Sequence, residues 1–211
     1  MNSTCLNRIK LINHSNIAVV LVHEIYGINN HIEYKSNDLF EKGFDVYCEN
    51  LLNRPSFGYD EEKEAYHYFY REVGLQRAYE QTFTLVKSLK RSYQKVVIWG
   101  YSVGATIAWM CSEDGEFLDA VVGFYGSRIR DYSRLHPRVP VLLFYPYEET
   151  SFDVKTLVDI LNKKDKVKVD LFSGEHGFAN PFSKKYDAGG EKESLAITLK
   201  FLEIWRDEYG I

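Results

Sequence analysis

Val96-Val97-Ile98-Trp99-Gly100-Tyr101-Ser102-Val103-Gly104 is the stretch that decides how this chain is read. Val96 to Trp99 is an apolar run with the β-branched content of a buried strand. Ala105 to Cys111, directly after Gly104, is helix-like. Between them stands a Gly-x-Ser-x-Gly pentapeptide, Gly100 to Gly104. Roughly one chain in fifteen of this length would carry such a pentapeptide by chance. A strand before it and a helix after it make the conjunction much rarer. The chemistry explains the spacing. A serine at the tip of so tight a turn sits on strained backbone. Side chains two residues before or after it would collide with the neighbouring strand and helix, so glycine is expected at both. The turn lifts the Ser102 hydroxyl clear of the sheet. The Val103 N–H opens the helix, where a developing oxyanion can be held.

Outward from this turn, strand and helix signals alternate along the chain. The pattern predicts strands at 8–12, 18–22, 44–48, 120–124, 141–144 and 167–172, besides 96–99. It predicts helices at 30–42, ending at Gly43, and at 154–162. Residues 61–92 read as helical in two pieces broken near Gly74. Residues 49–60 and 125–139 read as loops, and Leu195, Leu199 and Leu202 mark an amphipathic last helix. Such alternation implies a doubly wound, mostly parallel sheet with helices on both faces. Ligands of such sheets bind at the carboxyl ends of strands, where Ser102 is placed. In this setting the pentapeptide resembles the nucleophile elbow of an α/β-hydrolase, compact and without a large lid.

Composition bounds the partners. The chain has 211 residues, read as one α/β domain spanning 1–211. Hydrophobic residues make up 45% and charged residues 27%, an ordinary globular balance. The net charge of −4, with both signs interspersed, argues against nucleic acid. No apolar run reaches membrane-spanning length, and residues 1–16 lack the apolar core of a signal peptide. Cys5, Cys48 and Cys111 read as reduced thiols of a cytoplasmic protein. No Cys/His cluster has metal-ligand spacing.

A serine hydroxyl needs a base to take its proton. In α/β-hydrolases the partners follow in the order Ser, Asp/Glu, His. Of six histidines only His176 lies after the 141–144 strand, in the Gly-rich loop Ser173-Gly174-Glu175-His176-Gly177-Phe178. The acid is open among Glu148, Glu149 and Asp153, all near the end of that strand. Asp153 also reads as the N-cap of the helix at Val154, and position favours Glu149.

His23-Glu24-Ile25-Tyr26-Gly27-Ile28-Asn29 follows the first buried strand. It resembles the Glu-Ile-(aromatic)-Gly-(apolar)-Asn signature of the dienelactone hydrolase family. The elbow, Gly123-Phe124-Tyr125-Gly126 and Gly174-Glu175-His176-Gly177-Phe178-Ala179 fall in that family's order and approximate spacing. The match covers about 150 residues on the same element order. Counting without gaps from Pro140, the resemblance puts the triad acid at Glu149, where the family usually has Asp. It implies an oxyanion hole of the Ile25 and Val103 N–H groups, and a Glu24 near the nucleophile. There are two departures. The family's dienelactone enzymes carry a cysteine nucleophile where this chain has Ser102. They also carry an arginine for the substrate carboxylate where this chain has Asn180.

The expected activity is therefore esterase-like, on a small ester, lactone or thioester, with Ser102 as nucleophile, His176 as base and no metal or organic cofactor. Tyr26, Tyr101 and Asn180 are candidate pocket walls. The aromatic stretch Tyr66, Tyr68, Phe69, Tyr70 reads as helix packing ahead of a pocket wall. Two other readings remain: a ligand-binding protein on a catalytically weak hydrolase scaffold, favoured by the unusual Glu149-Thr150 region, and an acyltransferase.

Overall fold

Period-two alternation sorts the central strands onto two faces. β2 (Ile17–Val22) sends Ala18, Val20 and Val22 to one face and Ile17, Val19 and Leu21 to the other. β4 (Lys95–Tyr101) divides Val96 and Ile98 from Val97, Trp99 and Tyr101 in the same way. β5 (Ala120–Phe124) divides Val121 from Ala120, Val122 and Phe124. Strands buried on both faces have no polar side, which is why they read as continuous apolar runs. The computed structural model describes residues 8–203, so Cys5 lies outside the described residues. Cys48 and Cys111 are buried free thiols.

With β1 (Ile9–Leu11), β3 (Asp45–Cys48), β6 (Val141–Pro146) and β7 (Val167–Phe172), these strands form a seven-stranded sheet of order β1-β3-β2-β4-β5-β6-β7. All neighbouring pairs are parallel except β1 with β3. α1 (Asn30–Glu41) and α6 (Ala188–Glu203) cover one face, through Ile32, Leu39 and Leu202. The other face carries α2 (Glu62–Tyr68), α3 (Leu75–Leu89), α4 (Val103–Cys111) and α5 (Val154–Leu161). Below the surface Lys35 of α1, 1% exposed, bonds Glu191 of α6 at 2.9 Å. Burial opposes its charge, but Tyr101, Asp38 and Glu191 together raise its pKa above the ordinary lysine value.

The structure departs from the sequence reading in a few places. β4 continues through Gly100 and Tyr101, and α4 begins at Val103, so the elbow is a single residue wide. The helical break is a π-turn, Phe69–Val73, which ends at Gly74 with φ +76°. Gly74 has no side chain to resist that conformation. The segment 125–139 holds a 3-10 turn, Ser127–Tyr132, too short to show periodicity in sequence. In the aromatic stretch Phe69 is fully buried and the Tyr68 hydroxyl donates to the Leu52 carbonyl at 3.1 Å. Tyr66 stays exposed and accepts from Arg128 Nη2 at 2.7 Å. That stretch is chiefly helix packing.

Close approach of α4 to β2 explains the elbow's last glycine. A Cβ on Gly104 would stand 2.2 Å from the Val22 carbonyl oxygen, and one on Gly100 would stand 2.3 Å from Gly104 backbone. Neither obstacle is a flexible side chain. Gly104→Ala should therefore lose about 3 kcal/mol or more of folding free energy. Urea denaturation followed by circular dichroism measures this, and a midpoint equal to that of the native chain would refute the packing argument.

Candidate active site

Ser102 sits between β4 and α4 with φ +53° and ψ −115°, in the region that L side chains rarely adopt. Such strain persists only where the surroundings over-determine it. Here the Ser102 N–H donates to the Phe124 carbonyl at 2.9 Å, and its own carbonyl accepts from Ala105 N–H and Thr106 N–H at 3.1 and 3.2 Å. The turn is thereby pinned to β5 on one side and to α4 on the other.

Three side chains from distant segments meet at this tip. His176 Nε2 lies 3.0 Å from Ser102 Oγ, and His176 Nδ1 lies 2.7 Å from Glu149 Oε1. A carboxylate only accepts, so the imidazole proton belongs on Nδ1 and the bare Nε2 accepts from the serine hydroxyl. Glu149 follows β6 in a narrow hairpin closed by a bridge to Phe152, and its side chain is 5% exposed. His176 follows β7 in a loop turned by Gly174 and Gly177, with φ of +112° and +96°. Phe178 anchors that loop in the core. Glu148 points to solvent. Asp153 caps α5, accepting from the Thr156 hydroxyl at 2.6 Å and from Thr156 N–H at 3.3 Å. Those bonds hold its pKa below the usual aspartate value.

Glu24 and Ile25 lie at the carboxyl end of β2, next to the strand that carries the elbow. Val103 is the first residue of α4, where the helix dipole favours negative charge. Among the described residues neither the Ile25 nor the Val103 N–H has an acceptor within the protein. The Glu24 side chain, 6% exposed, bonds elsewhere than the nucleophile: its Oε2 lies 3.3 Å from His31 Nδ1 and 3.4 Å from Asn180 Nδ2. Tyr26 is half-buried, edge-on to Tyr59 at 4.9 Å. Asn180 is 2% exposed and bonds the Tyr59 hydroxyl at 2.9 Å, so it ties the histidine loop to the residues before α2.

Tyr101 is a correction. It is 1% exposed and turned to the α1–α6 face, with its ring 4.5 Å from His31 and 4.8 Å from Phe124. Because β4 runs on to residue 101, strand parity carries Tyr101 to the same face as Val97 and Trp99, into the core.

Sequence reasoning gave no role to three further neighbours. Tyr125, fully buried with φ +42°, packs its ring 4.8 Å from that of His176. Burial, reinforced by Glu24, pushes its hydroxyl pKa far up, so it stays neutral. Its position straight after β5, inside the quoted Gly123–Gly126 motif, was the available signal. His31 and His23 are fully buried beside Glu24, and sequence carries no sign of their partners. Burial lowers the His23 pKa to about 4, against the opposing pull of Glu24. The unfolded chain therefore binds a proton below pH 6.5 that the folded chain refuses down to about pH 4. Stability should be full above pH 6.5 and fall as pH drops towards 4, by roughly 3 kcal/mol from this group. Denaturation midpoints at pH 7, 5.5 and 4.5 test this, with His23→Asn as the reference; equal slopes in both proteins would refute it.

Among the described residues no group of three or more His, Cys, Asp or Glu is gathered to hold a metal ion. None of their helices is long and apolar enough to cross a membrane.

Comparison with known proteins bears on the family and the fold. The family model of the dienelactone hydrolase family matches residues 10–205. The uncharacterized protein YczH of Bacillus subtilis (strain 168) is 39% identical over 184 residues, which cover 85% of this chain and 89% of that protein. A putative dienelactone hydrolase from Klebsiella pneumoniae superposes with a TM-score of 0.72 at 18% identity, covering 87% of this chain and 85% of the other. A dienelactone hydrolase-like promiscuous phosphotriesterase, P91, from metagenomic libraries gives 0.72 at 16% identity, covering 93% and 96%. Est1E from Butyrivibrio proteoclasticus, with ferulic acid bound, gives 0.66 at 13% identity, covering 93% and 94%. At these identities the solved structures share the α/β-hydrolase fold with this chain.

Proposed function

The chain belongs to the dienelactone hydrolase family, and from that premise we propose that it is a serine hydrolase of small esters, lactones or thioesters. One observation carries the reading: His176 bridges Ser102 and Glu149 through bonds of 3.0 and 2.7 Å, with the serine at a strained turn. Ser102 Oγ attacks the acyl carbon as His176 Nε2 takes its proton. The Ile25 and Val103 N–H groups receive the oxyanion. The imidazolium, stabilised by Glu149, then protonates the leaving oxygen or sulfur, and the same nitrogen activates water to release the acyl group. His176 keeps about a third of its side-chain surface exposed (32%), which gives water and a soluble substrate access to the base.

Asn180 supports a substrate without the carboxylate that an arginine would hold, because its amide is buried and bonded to Tyr59 and Glu24. The inactive-scaffold reading leaned on the Glu149-Thr150 region. Glu149 within hydrogen-bond distance of the imidazole weakens that ground.

A fluorophosphonate probe should label the chain at Ser102, and p-nitrophenyl acetate and butyrate should be turned over. A folded protein that takes no label and cleaves no short acyl ester would defeat the catalytic reading. Product analysis with alcohol or amine acceptors present distinguishes hydrolysis from acyl transfer.

A further inference from the structure

His23 is wholly buried and lies outside the reaction just described, yet both of its ring nitrogens are engaged. Leu51 N–H donates to Nε2 at 3.0 Å. An imidazole nitrogen that accepts carries no proton, so the proton of the neutral ring is on Nδ1. Nδ1–H then donates to the Glu24 carbonyl at 2.6 Å. That carbonyl shares one peptide plane with the Ile25 N–H. The described chain has no cis peptide bond, so the C=O and N–H of this unit point in opposite directions. Whatever aims the Glu24 oxygen therefore aims the Ile25 hydrogen. Gly27 N–H also donates to the Glu24 oxygen, at 3.2 Å, closing a turn. His23 supplies the second and shorter bond, and through Leu51 it refers the peptide to the core, where Leu51 is 3% exposed. A carbonyl that accepts two hydrogen bonds is polarised, and its peptide N–H becomes a stronger donor.

We propose that His23 is a positioning residue for the oxyanion hole: its neutral imidazole aims and polarises the Ile25 N–H through the shared peptide plane. The inference rests on the reading of that N–H as an oxyanion donor. The ring must stay uncharged, because a protonated Nε2 would face the Leu51 N–H, donor against donor. Burial keeps it so, and Glu24 is the charged group beside it.

Two conservative substitutions separate the two bonds. His23→Asn places an amide nitrogen where Nδ1 stands, keeping the donor to Glu24 and losing the tie to Leu51. His23→Gln reaches the Nε2 position, keeping the tie and losing the aiming bond. A merely structural role would rank the variants by stability. Positioning ranks them by the oxyanion. The experiment compares kcat for p-nitrophenyl acetate and for its thiono analogue, whose developing sulfur anion accepts hydrogen bonds poorly. His23→Gln should lose about 10- to 100-fold in kcat for the oxygen ester, with KM nearly unchanged and a much smaller loss for the thiono ester. His23→Asn should stay at least about tenfold above His23→Gln on the oxygen ester.

Wild-type protein that is unlabelled by phosphonate and inactive on the ester overturns the hydrolase reading and this proposal with it. Active wild type with equal oxygen-to-thiono ratios in the two variants overturns the proposal alone. Should His23→Gln fail to fold, the nitrogen-15 spectrum of the wild-type imidazoles decides, with His23 assigned by the signal missing from His23→Asn. The expected ring is protonated at Nδ1, bare at Nε2 and constant from pH 5.5 to 9. A His23 ring that carries its proton on Nε2, or titrates in that window, overturns it.

Discussion

Ser102→Ala should lower kcat/KM for p-nitrophenyl acetate on the order of 10⁴-fold or more and abolish labelling by a fluorophosphonate. The residual rate would reflect whatever the backbone donors contribute alone, because removing the nucleophile leaves the Ile25 and Val103 N–H groups in place. Stability should hardly change. The strain at residue 102, with φ +53°, comes from placing any Cβ in that conformation, and alanine keeps the Cβ. The bonds that hold the turn are main-chain bonds to Phe124, Ala105 and Thr106, which the substitution leaves alone. A near-native thermal midpoint with no activity is the signature of a lost nucleophile; activity within tenfold of the native enzyme would remove Ser102 from the mechanism. Ser102→Gly separates function from strain further. It is equally inactive, and release of the positive φ offsets some or all of glycine's extra chain entropy.

Much of this arrangement is legible in sequence because it is local or periodic. The elbow can be read since its two glycines answer to collisions that its own spacing imposes: Gly104 against Val22 oxygen and Gly100 against Gly104. The runs at Ala18–Val22 and Val96–Trp99 declare buried parallel strands because both of their faces are covered. His176 follows from element order alone. What is lost is whatever depends on where a strand stops. Tyr101 reads as a pocket wall if β4 ends at Trp99; two more residues of strand turn it into core. The antiparallel entry of β1 is likewise invisible, since Ile9 and Leu11 would look the same in either direction. The buried histidines elude sequence for a different reason. Their partners are a main-chain carbonyl, a main-chain N–H and a carboxylate seven residues away, none of which leaves a pattern.

The serine also changes what Glu24 has to do. A carboxylate beside a thiol can manage a proton that the thiol gives up easily, but a serine hydroxyl is far less acidic. Glu24 here bonds His31 on α1 and Asn180 on the histidine loop. It thus fastens the end of β2 to the two segments that flank it, while its own carbonyl is held by His23. In the mechanism proposed above, proton management falls to His176, and the identity of its acid becomes the decisive question.

Glu149→Gln should reduce kcat by about 10³- to 10⁴-fold with little change in KM. The amide is the same size as the carboxyl, so the hairpin closed by the Glu149–Phe152 bridge should keep its shape. What changes is the proton. Glu149 accepts from His176 Nδ1–H at 2.7 Å and leaves Nε2 bare for the Ser102 hydroxyl. A glutamine can present its NH₂ instead, which favours the other tautomer, with the proton on Nε2 where it blocks the serine. Even with the amide oxygen inward, the imidazolium of the transition state loses the negative charge that stabilises it, and Glu149 is too buried, at 5% exposed, for water to replace that charge well. Glu149→Asp keeps the charge but draws it back by one methylene, and a displacement of about 1 Å is worth on the order of 10²-fold. Its kcat should therefore lie between those of the glutamine variant and the native enzyme. Glu148→Gln and Asp153→Asn supply the contrast. Glu148 faces solvent and Asp153 caps α5, so turnover should stay within about twofold, while Asp153→Asn lowers the thermal midpoint only slightly. If Glu149→Gln were to keep a tenth or more of native kcat while one of these two lost a hundredfold, the acid would lie elsewhere on the loop after β6, and the 2.7 Å contact would be a structural bond of His176.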